Sequence, residues 1–220
     1  MVQGERGFLE YTSPVAKPEL KITVFSDYIC PFCYVGNRRI NRLREHFNVL
    51  VNWCHVEIHP ETPNDGQSVS DLGYSPEQWS QMMSNLEQIV AEENLPLAPV
   101  TRSVNSHQAL LLAEAAKEAG HDVYYRLHEA LFDEYFAHGN DIGDPTFLRE
   151  LAQRAGMTND HVARAWGEQQ YAEQLQQHLR QAAKLGISAV PTTLIGTHKL
   201  SGAVSIDDLI DAANTSLISR

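Results

Sequence analysis

Apolar positions fall into two regimes along the chain. Leu20-Lys21-Ile22-Thr23-Val24-Phe25 alternates in part and is β-branched and aromatic, which predicts a strand. Pro31 to about His46 reads as a helix, with Pro31 just inside its start, where a missing N–H costs nothing. Val49 to Ile58 predicts a second strand, with Leu50, Cys54, Val56 and Ile58 on one face. Val49, Val51, Trp53, His55 and Glu57 take the other face. Residues 59–74 hold Pro60, Pro63, Asn64, Asp65, Gly66 and Gly73 and read as loop.

The helical period then takes over. From Ser75 or Pro76, Trp79, Met82, Met83, Leu86, Ile89 and Val90 recur at helical spacing until Pro96 and Pro99. Ser106 to Ala119 is apolar on most sides, which predicts a buried helix closed by Gly120. Further helices are expected at about 122–137, from Asp144-Pro145 to Gly156, at 159–166 and at 171–185. After Gly186, Ala189 to Ile195 reads as a turn and strand, and Lys199-Leu200-Ser201 as a second short strand. Ser205 caps a last helix running through Leu217.

The order is thus β-α-β, a long helical stretch, then β-β-α. This is an α/β protein whose sheet domain, 19–62 and 186–220, is interrupted by an all-α domain over 63–185. Residues 1–18 read as an N-terminal arm, since Pro14 and Pro18 discourage regular structure there.

Charge narrows the partners. The 220-residue chain carries a formal net charge of -11, which repels phosphate backbones and anionic membrane surfaces. Arg38, Arg39, Arg42 and Arg44 are the densest basic group and read as a solvated helix face. No run approaches the roughly 18 apolar residues of a membrane helix. Met1 to Pro18 is polar and lacks the apolar stretch of roughly 7–15 residues that export requires, so the cytoplasm is the expected location. Three cysteines make an odd count, which argues against a structural disulfide framework.

The candidate chemistry lies in Cys30-Pro31-Phe32-Cys33, at the turn from strand to helix. There, unpaired N–H groups and the positive end of the helix dipole favour a thiolate on the first cysteine. Cysteines so placed can have pKa values lowered to roughly 3.5–7.5. Cys33 lies one turn on and shares the helix face, so Cys30 is the expected nucleophile and Cys33 the resolving thiol. The alternative is half of a zinc site. No second Cys-x-x-Cys exists, and Cys54 and His55, adjacent on a strand, point to opposite faces. No metal is therefore expected. Cys54 reads as a buried small hydrophobe. Val190-Pro191-Thr192, at the start of a strand, suits a cis bond.

Asp27-x-x-Cys30-Pro31-Phe32-Cys33-Tyr34-x-Gly36 resembles the active-site segment of the DsbA-like thioredoxin family, in particular its FrnE-like cytoplasmic branch. Gly186-Ile187-Ser188-Ala189-Val190-Pro191-Thr192 resembles that family's cis-proline segment, and Asn105-Ser106-His107 and Ser201-Gly202-Ala203 also match the branch. The resemblance spans roughly residues 20–215. It implies a thioredoxin-like fold with an inserted helical domain and dithiol–disulfide chemistry through a mixed disulfide. It sets Pro191 beside Cys30 and Cys33, and gives the Val190 backbone, Pro31, Phe32 and His107 to substrate binding. Asp27 is expected to cap the turn. The implied partner is a disulfide- or thiol-containing protein or small molecule, with no cofactor beyond glutathione as a candidate co-substrate. Kappa-class glutathione transferases and hydroxychromene carboxylate isomerases share the superfamily but carry serine where Cys30 stands. A glutathione-dependent isomerase or transferase is the alternative function, and a metal-binding module a third.

Overall fold

The computed structural model describes residues 16–99 and 101–218, so positions 1–15 of the expected arm lie outside the described residues. β1 (Glu19–Ser26) leads through Cys30 into α1 (Pro31–Leu43), and the chain returns as β2 (Asn48–His55), parallel to β1. β3 (Gln67–Ser68) and a single 3-10 turn at Val69–Asp71 occupy the segment expected as loop. α2 (Pro76–Glu92) opens with a reciprocal cap between Ser75 and Gln78. β4 (Arg102–Ser103) pairs antiparallel with β3, a two-residue bridge too short to show any period in sequence. α3 (His107–Ala119), α4 (His121–Phe132), α5 (Pro145–Ala155), α6 (Asn159–Gly167) and α7 (Gln169–Lys184) follow. β5 (Thr192–Ile195), β6 (His198–Ser201) and α8 (Ile206–Ile218) complete a four-stranded sheet of order β2-β1-β5-β6. This is the thioredoxin-like arrangement, with six α-helices between β2 and β5 among the described residues.

Three elements end earlier than periodicity suggests, each for a local reason. β2 stops at His55 because the Ile58 N–H turns away to the Asp27 carboxylate at 2.9 Å. α1 stops at Leu43, where Arg44, Glu45 and His46 donate three residues back, to Asn41, Arg42 and Leu43, in a tightened turn. The helix expected over 122–137 gives way after Phe132 to a π-turn, in which His138 N–H reaches Asp133 O at 3.0 Å.

Strand alternation sorts the core. Leu20, Ile22 and Val24 of β1 and Val49 and Trp53 of β2 are buried with residues of α1, α3, α4 and α8. Each such side chain contributes about 1.5–3 kcal/mol on burial. The opposite face buries Phe25, Cys54 and Val56 against Ala182 of α7. That cover ends short of Leu50, which is 44% exposed although it shares this face.

The α1 arginines are not a solvated face. Arg39 is buried, its Nε 2.7 Å from Glu93 just beyond α2, and its Nη1 donates to Ala203 O and Val204 O at 2.7 and 3.0 Å. Arg42 joins Glu93 at 2.9 Å, and Arg38 reaches Glu129 at 3.1 Å and Asp133. Arg44 donates to Val49 O and Tyr125. α1 is thereby tied to α2, to α4 and to the segment entering α8.

Candidate active site

Cys30 is the N-cap of α1, with extended backbone (φ -87°, ψ 115°) and Pro31 at the first helical position. Its side chain caps nothing, so the sulfur is not committed to holding the helix start. Its carbonyl accepts the N–H of Cys33 at 2.9 Å and of Tyr34 at 3.2 Å. The Cys30 thiol points to Val190 O, 3.5 Å away.

Cys33 follows one helical turn on, fully buried, with the Cys30 thiol as its electrostatic neighbour. Burial first, and then the Cys30 neighbour, push the Cys33 thiol well above its ordinary value. The two sulfurs differ in access: Cys30 lines the large cavity described below and Cys33 does not.

Pro191 follows a cis Val190–Pro191 peptide bond. A Cβ at position 36 would lie 3.2 Å from Pro191 Cγ, so the proline packs closely on α1 at Gly36, where a larger side chain would crowd it. Gly36 is one turn past Cys33, which sets the 190–191 segment beside the cysteine pair. Thr192 Oγ1 to Ala189 O (2.7 Å) and Gly202 N to Pro191 O (2.8 Å) hold that segment.

Asp27 is fully buried beneath the turn. Oδ2 accepts from the Ile58 N–H at 2.9 Å and from Ser106 Oγ at 3.2 Å, and Oδ1 accepts more weakly from the Ile29 N–H at 3.4 Å. It therefore caps the turn and also joins it to the end of β2 and the start of α3. Burial raises its carboxyl from 3.8 to about 6, against those three hydrogen bonds.

Tyr28, two residues before Cys30, enters a closed polar network that the sequence did not announce. His128 Nε2 donates to Asn37 Oδ1 at 3.2 Å, since the Asn37 amide is itself donating to Glu129. His128 Nδ1 then accepts from Tyr28 OH at 2.8 Å. His55 Nδ1 donates to Glu114 at 2.6 Å, and its Nε2 accepts from Tyr124 OH at 3.3 Å. Burial lowers His55 to about 4 and pushes His128 well below the ordinary imidazole range, so both are neutral. Lys117, 2.8 Å from both Glu114 oxygens, balances the one carboxylate in direct contact with these histidines.

A cavity of about 870 Å3 opens beside Cys30, Pro31, Phe32 and Val190 and reaches across to α2. Its histidine is His59, not His107. His107 begins α3 and bonds Glu57 at 3.1 Å, which raises its pKa. One signal could have found His59: it follows β2, and the C-terminal ends of parallel strands share one end of a sheet. Cys54 and His55 face opposite ways, toward Ala182 and Glu114 respectively. Among the described residues no three His, Cys, Asp or Glu side chains are grouped to hold a metal ion. No helix among them is long and apolar enough to cross a membrane.

Known proteins resemble this chain in sequence and fold. The DSBA-like thioredoxin domain matches residues 21–214. An uncharacterized protein, YwbO, of Bacillus subtilis (strain 168) is 30% identical over 193 residues, 84% of this chain and 92% of its own. The crystal structure of a probable DsbA oxidoreductase from Streptomyces coelicolor superimposes with a TM-score of 0.78 at 28% identity, covering 91% of each chain. A 2-hydroxychromene-2-carboxylate isomerase shares the fold, with a TM-score of 0.69 at 14% identity over 90% of this chain and 96% of its own.

Proposed function

The chain belongs to the DSBA-like thioredoxin domain family and is a disulfide oxidoreductase; from that premise we propose that Cys30 and Cys33 exchange disulfides through a mixed-disulfide intermediate. The observation that carries this reading is the asymmetry of the pair. Cys30 meets the cavity at a helix N-terminus, and Cys33, one helical turn on, is buried away from it.

The Cys30 thiolate attacks one sulfur of a substrate disulfide. That S–S bond breaks, and the departing sulfur leaves as a thiolate that takes up a proton. Cys33 gives up its proton and attacks the Cys30 sulfur, which closes the protein disulfide and releases the second substrate thiol. Two electrons pass from protein to substrate, and the reverse sequence oxidises a dithiol. Pro31, Phe32 and the Val190–Pro191 segment form the rim on which substrate seats, with the Val190 main chain available to pair with it. His107, outside the cavity lining, serves the structure through Glu57.

Serine variants separate the two roles. With a small neutral disulfide in excess, Cys33→Ser accumulates one covalent adduct on Cys30, read by mass spectrometry. Cys30→Ser forms no adduct at a comparable rate. Equal labelling of Cys33 in Cys30→Ser would reverse the assignment.

A further inference from the structure

The cavity beside Cys30 has an unusual wall for a protein expected to meet glutathione. Among its described lining residues there is no lysine or arginine, and the one carboxylate is Glu87, exposed on α2. The remaining surface is largely apolar, with Trp79, Met82, Met83, Leu86, Leu97 and Phe136. The two methionines are flexible and polarizable, which suits varied apolar shapes.

Two occupants fit this wall poorly. Oxidised glutathione carries four carboxylates and a net negative charge. Nothing cationic in the lining compensates them, and Glu87 repels them. A polypeptide laid into the cavity would bring an N–H and a C=O with each residue. Beyond the Val190 main chain at the rim, few polar groups, chiefly those of Ser103, Ser188, His59, Tyr74 and Trp79, are present to satisfy them along its length, and each group left unpaired is costly. The volume, about 870 Å3, lies within the roughly 300–1,000 Å3 of small-molecule sites.

Resting on the exchange chemistry above, we propose that this cavity admits small, apolar disulfides that are neutral or cationic, and that Glu87 is a specificity-determining residue which turns glutathione away. The reaction is balanced as reduced protein plus RSSR giving the Cys30–Cys33 disulfide plus two RSH, with R an aryl or alkyl group.

The test measures oxidation of the reduced protein by three reagents: neutral dipyridyl disulfide, cationic cystamine and oxidised glutathione. Each rate is divided by that reagent's rate with 2-mercaptoethanol, which removes its intrinsic reactivity. The normalised rates for dipyridyl disulfide and cystamine should each exceed that for oxidised glutathione by at least about tenfold. Glu87→Lys should raise the glutathione rate at least about threefold at low salt, an advantage that shrinks in about 0.5 M salt, with Glu87→Gln between. Equal normalised rates, or a glutathione rate indifferent to Glu87→Lys, would overturn the proposal. So would an unfolded disulfide-bonded polypeptide that outruns every small reagent. Failure of all three reagents to form a Cys30–Cys33 disulfide would instead defeat the exchange reading beneath it.

Discussion

Asp27 shows how much one side chain near the cysteines holds together. Removing its carboxylate in Asp27→Ala would leave the Ile58 N–H without its partner, at a cost of about 1–3 kcal/mol in urea unfolding. Its proton equilibrium has a direction as well. The folded-state value, about 6, lies above the ordinary 3.8. The stability Asp27 contributes is thus fully present below pH 3.8 and lost as pH rises through 6. Subtracting Asp27→Asn stability from wild type should give a difference that falls by about 3 kcal/mol across that window. A flat difference would mean that the carboxyl titrates alike in both states. The capping role was legible from Asp27 standing three residues before Cys30. The bonds to Ile58 and Ser106 were not, because both partners are distant in sequence and meet only after β2 and α3 pack.

Among elements, α1 is the hub. It presents the cysteine pair at one end and is clamped along its length by arginines. Arg39 is buried, the Glu93 side chain paired with it is only 8% exposed, and Arg39 also satisfies two backbone carbonyls before α8. Truncating one partner of such a pair leaves the other charge uncompensated, so Arg39→Ala should lower unfolding stability by about 3–5 kcal/mol. A loss below about 1 kcal/mol would show that Arg42 alone holds Glu93. The sequence could not distinguish this clamp from a solvated face. Its partners Glu93, Glu129 and Asp133 lie 51 to 95 residues away, and helical spacing says only that the arginines crowd one region. The helices themselves were readable because apolar period, Ser75, Asp144 and the closing Gly120 and Gly156 agreed on their limits. The β3–β4 bridge and the π-turn after Phe132 were not, since neither has a repeating pattern.

For the whole molecule, the interior under the active-site turn sets the response to acid. His55 is held near 4 and His128 well below its ordinary value, so the unfolded chain binds more protons than the folded one. The stability they contribute is present above about pH 6.5 and lost as pH falls, through about 4 for His55. Asp27 works in the opposite sense over an overlapping range. Wild-type stability should therefore change less between pH 6.5 and 4 than that of Asp27→Asn, which should fall more steeply toward acid. A shallower acid slope in Asp27→Asn would show that the Asp27 carboxyl titrates below its ordinary value in the folded protein. The β-α-β and β-β-α order was visible at this scale because strand and helix periods alternate cleanly. The neutral histidine network was invisible, because His55 and His128 look like any polar positions until the inserted helices close over β2.

Cys30 and Cys33 are expected to form a reversible two-electron couple. The direct measurement equilibrates the protein in glutathione buffers of graded poise until the thiol count is constant, then traps free thiols by alkylation and counts them by mass. Of the three cysteines, Cys30 and Cys33 should pass together from free to paired in one transition, with Cys54 alkylated throughout once the protein is unfolded. Cys30 and Cys33 remaining free in the most oxidising buffer, or pairing with Cys54 instead of each other, would contradict it.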